Sequence, residues 1–192
     1  MMSMRIVSAV SIFLMLTVAG LGLCDTSKQI SVNADILADL NFNSPENLAD
    51  KKYLGLSDGK NFKLPQVKAR LLIIQIFSMY CPICQRDAHA VNELHDLIQK
   101  VPGLRDEVKM LGVGTGNTPY EVNVFREKFK VAFPLIPDDN FAIQKALSDE
   151  IRTPTFVVVK PTAAGKLEIV LTKVGEIKES GEFLKKIMEK LN

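Results

Sequence analysis

The sequence predicts an α/β fold, because strand-like apolar runs alternate with stretches in which apolar residues recur at helical spacing. The clearest example is a near-continuous apolar run at residues 71–77 (LLIIQIF), which is followed after a short turn by a helical pattern. The length of 192 residues fits one domain plus a targeting segment, since a domain has roughly 100–200 residues.

The composition is that of a globular protein. Apolar residues make up 47% of the chain and charged residues 24%, which excludes an intrinsically disordered protein. The formal charge of +2 is too small for the basic field that nucleic-acid binding requires, so we expect no nucleic-acid partner. Three cysteines are too few to staple a small disulfide scaffold, but two of them lie three positions apart, which indicates redox or metal chemistry.

Residues 1–24 have the pattern of an export segment. Arg5 precedes residues 6–23, which carry no charge, and a bilayer span needs about 17–25 apolar residues. We therefore expect a cleaved signal peptide or an uncleaved membrane anchor, and an extracytoplasmic location in the bacterial periplasm or on the outer face of the membrane. Cys24 is a candidate for lipidation because its context resembles a lipobox, although Leu23 stands where Gly, Ala or Ser is usual.

The segment before the first core strand is predicted to hold few fixed elements. Residues 25–52 are polar with scattered apolar positions and are interpreted as a loosely structured lead-in, with a helix start at residues 44–46. Two short runs, residues 53–56 and 61–64, flank an Asp-Gly turn and predict a β-hairpin.

From residue 71 onward, the sequence predicts strands and helices in alternation. The run at residues 71–77 is typical of a central strand buried on both faces, and the helix after it is expected to stop at residues 102–103 (Pro-Gly). A strand is predicted at residues 108–113 and a helix at residues 119–130, opened by a Thr-Pro pair. The remaining predictions are a short helix at residues 138–147, strands at residues 155–159 and 167–174, and a final amphipathic helix after Gly175.

The chemistry is predicted to lie at Cys81 and Cys84, on the turn between a buried strand and a helix. The first sulfur would stand at the helix N-terminus, where free N–H groups favour a thiolate, so Cys81 is the candidate nucleophile. Cys84 lies one helical turn further and can attack a mixed disulfide formed at Cys81, which makes it the candidate resolving thiol. Pro82 suits the first helical position because it lacks an N–H, and Ile83 has no evident polar role.

A metal site is the alternative interpretation of the two cysteines. Tetrahedral zinc needs four ligands, and the other soft ligands in the mature chain are His89 and His95, which helical spacing places on a polar face and beside the apolar stripe. We therefore expect no metal at this motif.

Two motifs, residues 77–84 (FSMYCPIC) and residues 152–156 (RTPTF), carry a resemblance to a known family. They are similar to the F-x-x-x-W-C-x-x-C run and the cis-proline segment of the thioredoxin-fold thiol-disulfide oxidoreductases, in particular the exported TlpA/ResA-like branch. The resemblance implies a thioredoxin-like domain at residues 53–192, with a central mixed β-sheet flanked by helices, an N-terminal hairpin and an inserted helix at residues 119–130.

The same resemblance implies a substrate-binding role for three residues. Pro154 would be cis and face the dithiol, and the Thr153 backbone would pair with an extended substrate strand. Tyr80 stands where the family usually has Trp, directly before the first cysteine. An ordinary loop-to-strand entry is the alternative interpretation of the Thr-Pro pair.

Four further residues are candidates for tuning the redox chemistry. Pro82 and Ile83 lie between the cysteines. Gln75 stands six positions before Cys81, where the family often has an acidic or amide residue, and an amide cannot relay a proton as a carboxylate does. Asp87 stands where the branch usually has Glu, and the alternative for it is a solvated charge on the helix face.

These expectations combine into an enzyme that exchanges protein disulfides and carries no cofactor beyond the Cys81–Cys84 dithiol. The resemblance favours the reducing direction, as in cytochrome c maturation or periplasmic thiol maintenance, with a membrane or periplasmic electron donor as partner and a monomeric protein. Two alternatives are a thiol peroxidase of the peroxiredoxin type, although Ile74 stands where that family needs Pro, and a Cu(I) chaperone that binds metal through both thiolates.

Overall fold

The computed structural model describes residues 32–147 and 151–191. The predicted export segment, residues 1–24, and the proposed lipidation of Cys24 lie outside the described residues. Within the two described ranges, none of the helices has both the length and the apolar character needed to cross a bilayer.

Two β-sheets organise the described residues. Their strands are β1 (Asn41–Asn43), β2 (Asn61–Lys63), β3 (Leu71–Phe77), β4 (Val108–Thr115), β5 (Leu135–Asp138), β6 (Thr155–Pro161) and β7 (Leu167–Val174). The central sheet has the order β5-β4-β3-β6-β7, in which β3, β4 and β5 are parallel and β6 and β7 are antiparallel to their neighbours. The smaller sheet pairs β1 with β2. The predicted central mixed sheet is therefore confirmed.

Helices cover both faces of the central sheet. They are α1 (Ala34–Asp39), α2 (Leu48–Leu54), α3 (Pro82–Lys100), α4 (Pro102–Glu107), α5 (Pro119–Phe129), α6 (Ala142–Leu147) and α7 (Ser180–Met188), with a 3₁₀ turn at Leu64–Gln66. One buried apolar cluster joins α3, α5 and α7 to one face of the sheet. A second cluster joins α1, α2 and α6 to the opposite face. The fold is thus a three-layer α/β arrangement.

Strand β3 contributes to both clusters, as its near-continuous apolar sequence predicts. Alternate side chains of a strand point to opposite faces, so the strand divides its residues between the two cores. Leu71, Ile73 and Phe77 lie in the first cluster, and Leu72, Ile74 and Ile76 lie in the second. All six are fully buried. The loop that follows β3 therefore starts from the most enclosed strand of the sheet.

Helix α3 begins directly after this loop and ends where the sequence predicts. Cys81 is its N-cap and Pro82 its first residue, which costs no hydrogen bond because the first N–H groups of a helix have no partner inside it. The helix ends at Lys100, and Pro102 then opens the short α4. Its buried stripe consists of Cys84, Asp87, Ala88, Val91, Leu94, His95 and Ile98.

The predicted inserted helix is α5, which lies between β4 and β5 in the sequence. A turn precedes it, in which the Asn117 N–H donates to the Gly114 carbonyl at 3.0 Å. Gly116 adopts a φ of +65° in this turn, a conformation that side-chain-bearing residues rarely adopt. Thr118 and Glu121 then form a capping box that starts the helix.

The predicted N-terminal hairpin is wrong in its pairing. Strand β2 pairs with β1, with Phe42 opposite Phe62, and not with residues 53–56. Residues 53–54 instead end α2, whose N-cap is Asn47. Gly55 closes that helix in the left-handed conformation, with a φ of +65°. The Asp-Gly pair predicted a tight hairpin. In the structure, the residues before this pair end α2, and the residues after it pair with the more distant strand β1.

Three further differences concern short elements. Residues 32–52, the described part of the expected lead-in, form α1, β1 and most of α2, and they bury Leu37 and Phe42 in the second cluster. The sequence prediction also missed β5, a strand of four residues that contains Pro137. That proline does not disturb the sheet because β5 is an edge strand. The short helix predicted from residue 138 begins later, at Ala142.

Candidate active site

The two cysteines stand at the start of α3, at the carboxyl end of β3. The Cys81 N–H donates to the Ser78 carbonyl at 3.1 Å, which closes the turn between the two elements. Cys81 is partly exposed and Cys84 is fully buried, and both are free thiols. The Cys84 N–H donates to Cys81 Sγ at 3.3 Å, so the first sulfur takes the place of an N-cap oxygen.

The position of Cys81 favours its ionised form. Burial of the sulfur raises its pKa, but hydrogen bonds with the Thr153 and Cys84 side chains and with the Cys84 and Ile83 backbone outweigh that effect and lower the pKa below the ordinary value. These groups stabilise negative charge on the sulfur at the N-terminus of α3. The structure thus gives Cys81 the properties of a nucleophile.

Cys84 has the opposite character. Burial in the first apolar cluster raises the pKa of its thiol to about 12, and the neighbouring Cys81 adds to that increase. Hydrogen bonds with Ser78 and Thr153 act in the lowering direction but are smaller effects. One motif therefore contains an ionisable, accessible sulfur next to a protonated, inaccessible one.

The second predicted motif lies directly against the first. Cys81 Sγ lies 3.2 Å from the Thr153 carbonyl oxygen, although the two residues are 72 positions apart in the chain. The Thr153–Pro154 peptide bond is cis, as the resemblance implied. Thr153 precedes β6, the antiparallel neighbour of β3, and this pairing brings the two motifs together.

Three of the predicted residues surround Cys81 at the surface. Tyr80 is 65% exposed and Ile83 is 40% exposed, so both present apolar area next to the thiol. Pro82 is exposed between them. The Tyr80 hydroxyl donates a hydrogen bond to the Glu121 carboxylate at the start of α5.

Gln75 is placed differently from these residues. It is 2% exposed and lies inside β3, with Gly112 and Phe156 as its neighbours on the adjacent strands. The side chain is therefore an interior amide of the sheet, six residues before Cys81.

Asp87 is buried, so the alternative of a solvated helix-face charge is wrong. It is 3% exposed, and its Oδ1 accepts a hydrogen bond from the Ile177 N–H at 2.8 Å. Burial raises the pKa of this carboxyl to about 6; the bond from Ile177 lowers it and the charge of Glu176 raises it. The loop between β7 and α7 covers this face of α3, which the local sequence of the helix does not indicate.

Replacing Asp87 by Asn is expected to stabilise the protein at neutral pH. The folded-state pKa of about 6 exceeds the ordinary value of 3.8, so the folded state binds more protons between these values, and stability falls as the pH rises through that window. Asn keeps an oxygen for the Ile177 N–H without the charge. We expect a gain of up to about 3 kcal/mol above pH 7 and little change below pH 4, from urea unfolding at both pH values.

The control for this variant is Asp106→Asn, which removes an exposed carboxylate from α4. It should change stability little at either pH, because exposed ion pairs contribute about 0–1 kcal/mol. Equal stability of wild type and Asp87→Asn at both pH values would show that ionisation of Asp87 carries no cost in the folded protein.

Three residues of the site were not identified from the sequence. Asn117 is fully buried, and its Oδ1 accepts the Met79 N–H at 2.8 Å. Gln85 Nε2 donates to the Met79 carbonyl at 2.7 Å, and Glu121 accepts the Tyr80 hydroxyl. The Gly-Thr-Gly-Asn run before a Thr-Pro helix start is the local signal that marks the turn presenting Asn117.

The two histidines of the described residues both lie on α3, after the cysteines. His95 is 7% exposed and its ring packs between Tyr53 and Phe133, with centroid distances of 6.1 and 5.7 Å. Burial lowers its pKa. His89 is exposed on α3. Within residues 32–147 and 151–191, no three His, Cys, Asp or Glu side chains converge as a metal site.

Known proteins with similar sequences include thiol-disulfide oxidoreductase ResA from Geobacillus thermodenitrificans. It is 24% identical over 115 residues, which are 60% of this chain and 62% of that relative. The match therefore spans less than two thirds of the relative's length.

Similar solved structures share the fold at low sequence identity. StoA from Bacillus subtilis has a TM-score of 0.52 at 21% identity, covering 67% of this chain and 90% of StoA. A secreted Mycobacterium tuberculosis disulfide oxidoreductase homologous to E. coli DsbE has a TM-score of 0.56 at 15% identity, covering 81% of this chain and 99% of that one. The thioredoxin-like fold is thereby confirmed.

The family comparison agrees with the fold. The redoxin family matches residues 42–179, from β1 to the residue before α7. This range contains Cys81, Cys84 and Pro154, the residues around which the site is built. Because the match covers most of the chain and includes the whole site, the protein belongs to the redoxin family.

Proposed function

We propose that this protein is an exported thiol-disulfide oxidoreductase that exchanges protein disulfides through Cys81 and Cys84. The observation that carries the proposal is the contrast between the two sulfurs. Cys81 is accessible, with a pKa below the ordinary value, whereas Cys84 is buried, with a pKa of about 12. An attacking thiol and a resolving thiol need this difference.

The proposed reaction runs in two balanced steps. In the first, the Cys81 thiolate attacks one sulfur of a substrate disulfide, forms a mixed disulfide and releases the other substrate sulfur as a thiolate. In the second, Cys84 loses its proton and attacks Cys81 Sγ, which closes the Cys81–Cys84 disulfide and releases the second substrate thiolate. The substrate gains two electrons and the enzyme loses two. An electron donor must then reduce the enzyme again.

The order of the steps follows from the charge on Cys81. Part of the increase in the Cys84 pKa comes from Cys81, through a hydrogen bond and through the charge of its thiolate. That contribution disappears once Cys81 is bonded to a substrate sulfur and carries no charge. Cys84 therefore becomes easier to ionise only after the mixed disulfide has formed.

Asp87 is the group we assign to tuning of Cys84. It lies three residues after Cys84 on α3, so both belong to the buried stripe of the helix. A carboxyl with a pKa of about 6 exists in both protonation states near neutral pH, which is the property that a proton acceptor requires. Gln75, Pro82 and Ile83 are assigned weaker tuning roles from their places around the motif.

Substrate binding is assigned to Thr153, Pro154 and Tyr80. The Thr153 carbonyl stands 3.2 Å from the attacking sulfur, where a neighbouring substrate peptide would lie during attack. Exposed Tyr80 and Ile83 offer apolar contacts on the other side of the thiol. An extended substrate segment next to Thr153 would use backbone hydrogen bonds, which suit substrates of varied sequence.

We infer the reducing direction and an extracytoplasmic location. The uncharged run at residues 6–23 supports export, with cleavage, lipidation at Cys24 or a retained anchor as its possible forms. The proposed partners are protein dithiols or disulfides and a membrane or periplasmic electron donor. Cytochrome c maturation and periplasmic thiol maintenance are the settings that fit this chemistry.

The midpoint potential of the Cys81/Cys84 couple tests the proposal. We expect a two-electron transition near or below about −250 mV, since reductants of this type lie near −270 mV and oxidants near −120 mV. The full chain is equilibrated in thiol-disulfide buffers, alkylated and mapped by peptide mass. Cys84→Ser is the matched control, which should show no two-electron transition.

Two other results would change the proposal. A midpoint above about −150 mV would contradict the reducing direction and indicate an oxidase or isomerase. The absence of any two-electron transition in the wild type would contradict the redox proposal and favour the Cu(I)-binding alternative.

A further inference from the structure

Met79 lies in the turn that leads into Cys81, and the turn's own hydrogen bond leaves the Met79 N–H and carbonyl without a partner. The Cys81 N–H donates to the Ser78 carbonyl, which places Met79 and Tyr80 at the centre of a four-residue turn. The N–H and the carbonyl of the first central residue point away from the closing hydrogen bond and need other partners. In this protein both groups of Met79 are bonded by side chains from other elements.

Asn117 binds the first of these groups from the adjacent strand. It is the last residue of the turn that ends β4, and its Oδ1 accepts the Met79 N–H at 2.8 Å. Its Nδ2 lies 3.4 Å from Ser78 Oγ, to which it donates. Asn117 has no solvent exposure. A buried amide with both ends bonded holds its partners firmly, because rotation would leave polar groups unpaired away from water.

Gln85 binds the second group from the first turn of α3. Its Nε2 donates to the Met79 carbonyl at 2.7 Å. Its backbone N–H donates to the Cys81 carbonyl at 3.1 Å. Gln85 is therefore bonded to the Met79–Tyr80 peptide and to the Cys81–Pro82 peptide, one before and one after the Tyr80–Cys81 peptide.

We propose that Asn117 and Gln85 are positioning residues that fix the Met79 peptide groups from both sides and thereby keep Cys81 Sγ at the N-terminus of α3. This inference rests on the proposed function, in which Cys81 is the attacking thiol. Neither side chain touches Cys81 Sγ in the hydrogen bonds described, so both act through the backbone of the turn.

The geometry of the turn explains how these hydrogen bonds affect the position of the sulfur. The peptide between the two central residues of a turn has two common orientations, which differ by rotation of its carbonyl. The bond from Gln85 fixes the orientation of the Met79–Tyr80 peptide. The bond to Asn117 fixes the preceding peptide, Ser78–Met79. With both in place, Cys81 Sγ lies 3.3 Å from the Cys84 N–H, and the thiolate is stabilised there.

Two substitutions and one matched control test the inference. Asn117→Ala and Gln85→Leu each remove one of the two bonds to Met79. Asn92→Ala is the control, because its Nδ2 also donates to a backbone carbonyl, that of Phe129 at 2.8 Å, from a position two turns further along α3. The measurement is the pH dependence of iodoacetamide alkylation of Cys81 in the reduced full chain, mapped by peptide mass.

We expect Asn117→Ala and Gln85→Leu each to slow alkylation of Cys81 at pH 7 by about threefold to tenfold and to move the midpoint of the profile to higher pH. Asn92→Ala should keep the wild-type profile. Thermal unfolding of every variant establishes that it is folded. Gln85 is only half-buried, so Gln85→Leu decides the question if Asn117→Ala does not fold.

Two results would overturn the inference. One is a wild-type alkylation profile in the folded variants, and the other is an equal change in Asn92→Ala. Insulin reduction by the wild type separates this failure from that of the proposed function. A wild type that reduces insulin while the variants keep its alkylation profile refutes the positioning role alone. A wild type that does not exchange insulin disulfides refutes the function, and the alkylation profile still reports on the positioning.

Discussion

Cys84→Ser is expected to accumulate stable mixed disulfides with substrate proteins, whereas Cys81→Ser forms none and loses disulfide turnover. In the proposed reaction the attacking sulfur is Cys81, so the first variant would still carry out the first step and then stop, because serine cannot release the bound substrate. Removing an activated nucleophile lowers the rate by at least about a hundredfold. Non-reducing gels followed by peptide mass identify the trapped complexes, and insulin reduction measures the turnover.

The third cysteine supplies the control for this pair. Cys24→Ser should keep turnover and should trap no substrate, because Cys24 lies outside the proposed reaction. Normal turnover in Cys84→Ser would show that Cys81 works without a resolving thiol from its own motif. Trapping through Cys84 in the Cys81→Ser variant would reverse the two assigned roles.

Alkylation of the reduced folded protein is expected to modify Cys81 at least about 1,000-fold faster than Cys84 at pH 7.5. Only a thiolate reacts with iodoacetamide, and the pKa of Cys84 is raised to about 12 by burial, whereas the pKa of Cys81 is lowered. Cys84 also has no exposed surface. Time-resolved peptide mass gives the rate constant of each cysteine.

The unfolded chain provides the reference for this measurement. In concentrated guanidinium chloride both thiols should react at similar rates, because the burial and the hydrogen bonds that separate them are lost. Similar rates in the folded protein would contradict the contrast on which the proposed function rests.

Local patterns in the sequence were sufficient for the longest elements. Six of the seven residues of β3 are apolar and lie on both faces of the strand, so their burial requires both faces to be covered, and this predicts the central position of β3. The regular spacing of apolar residues after Cys84 likewise predicts α3, and the Pro-Gly pair predicts its end. The cysteines were identified by their spacing of three positions and by their place between the predicted strand and the predicted helix.

Short elements were harder to predict because distant partners determine them. The apolar alternation of residues 61–64 is the same whether the strand pairs with residues 53–56 or with β1, so the local sequence does not select the partner. Strand β5 has four residues and a proline, and it exists because β4 offers it hydrogen bonds. Residues 32–52 of the lead-in form fixed elements because Leu37 and Phe42 pack into the second apolar cluster.

Three polar residues of the site depended on the same long-range packing. Asp87 accepts a hydrogen bond from Ile177, which lies 90 positions further along the chain, and helix periodicity does not contain that information. Asn117 and Gln85 meet at Met79 from different elements. The sequence gives the identity of each polar side chain, but only the tertiary structure shows which group it is hydrogen-bonded to.

Because both faces of β3 are buried, the strand limits the motion that can accompany the proposed redox cycle. A strand that is paired along both edges and covered on both faces exchanges its amide hydrogens only when the whole domain opens. Cys81 stands four residues beyond the end of that strand. When Cys81 forms the proposed disulfide with Cys84, the sheet next to it therefore stays rigid. We expect the movement that it requires to lie beyond the end of β3, so that the strand keeps its hydrogen bonds in both oxidation states.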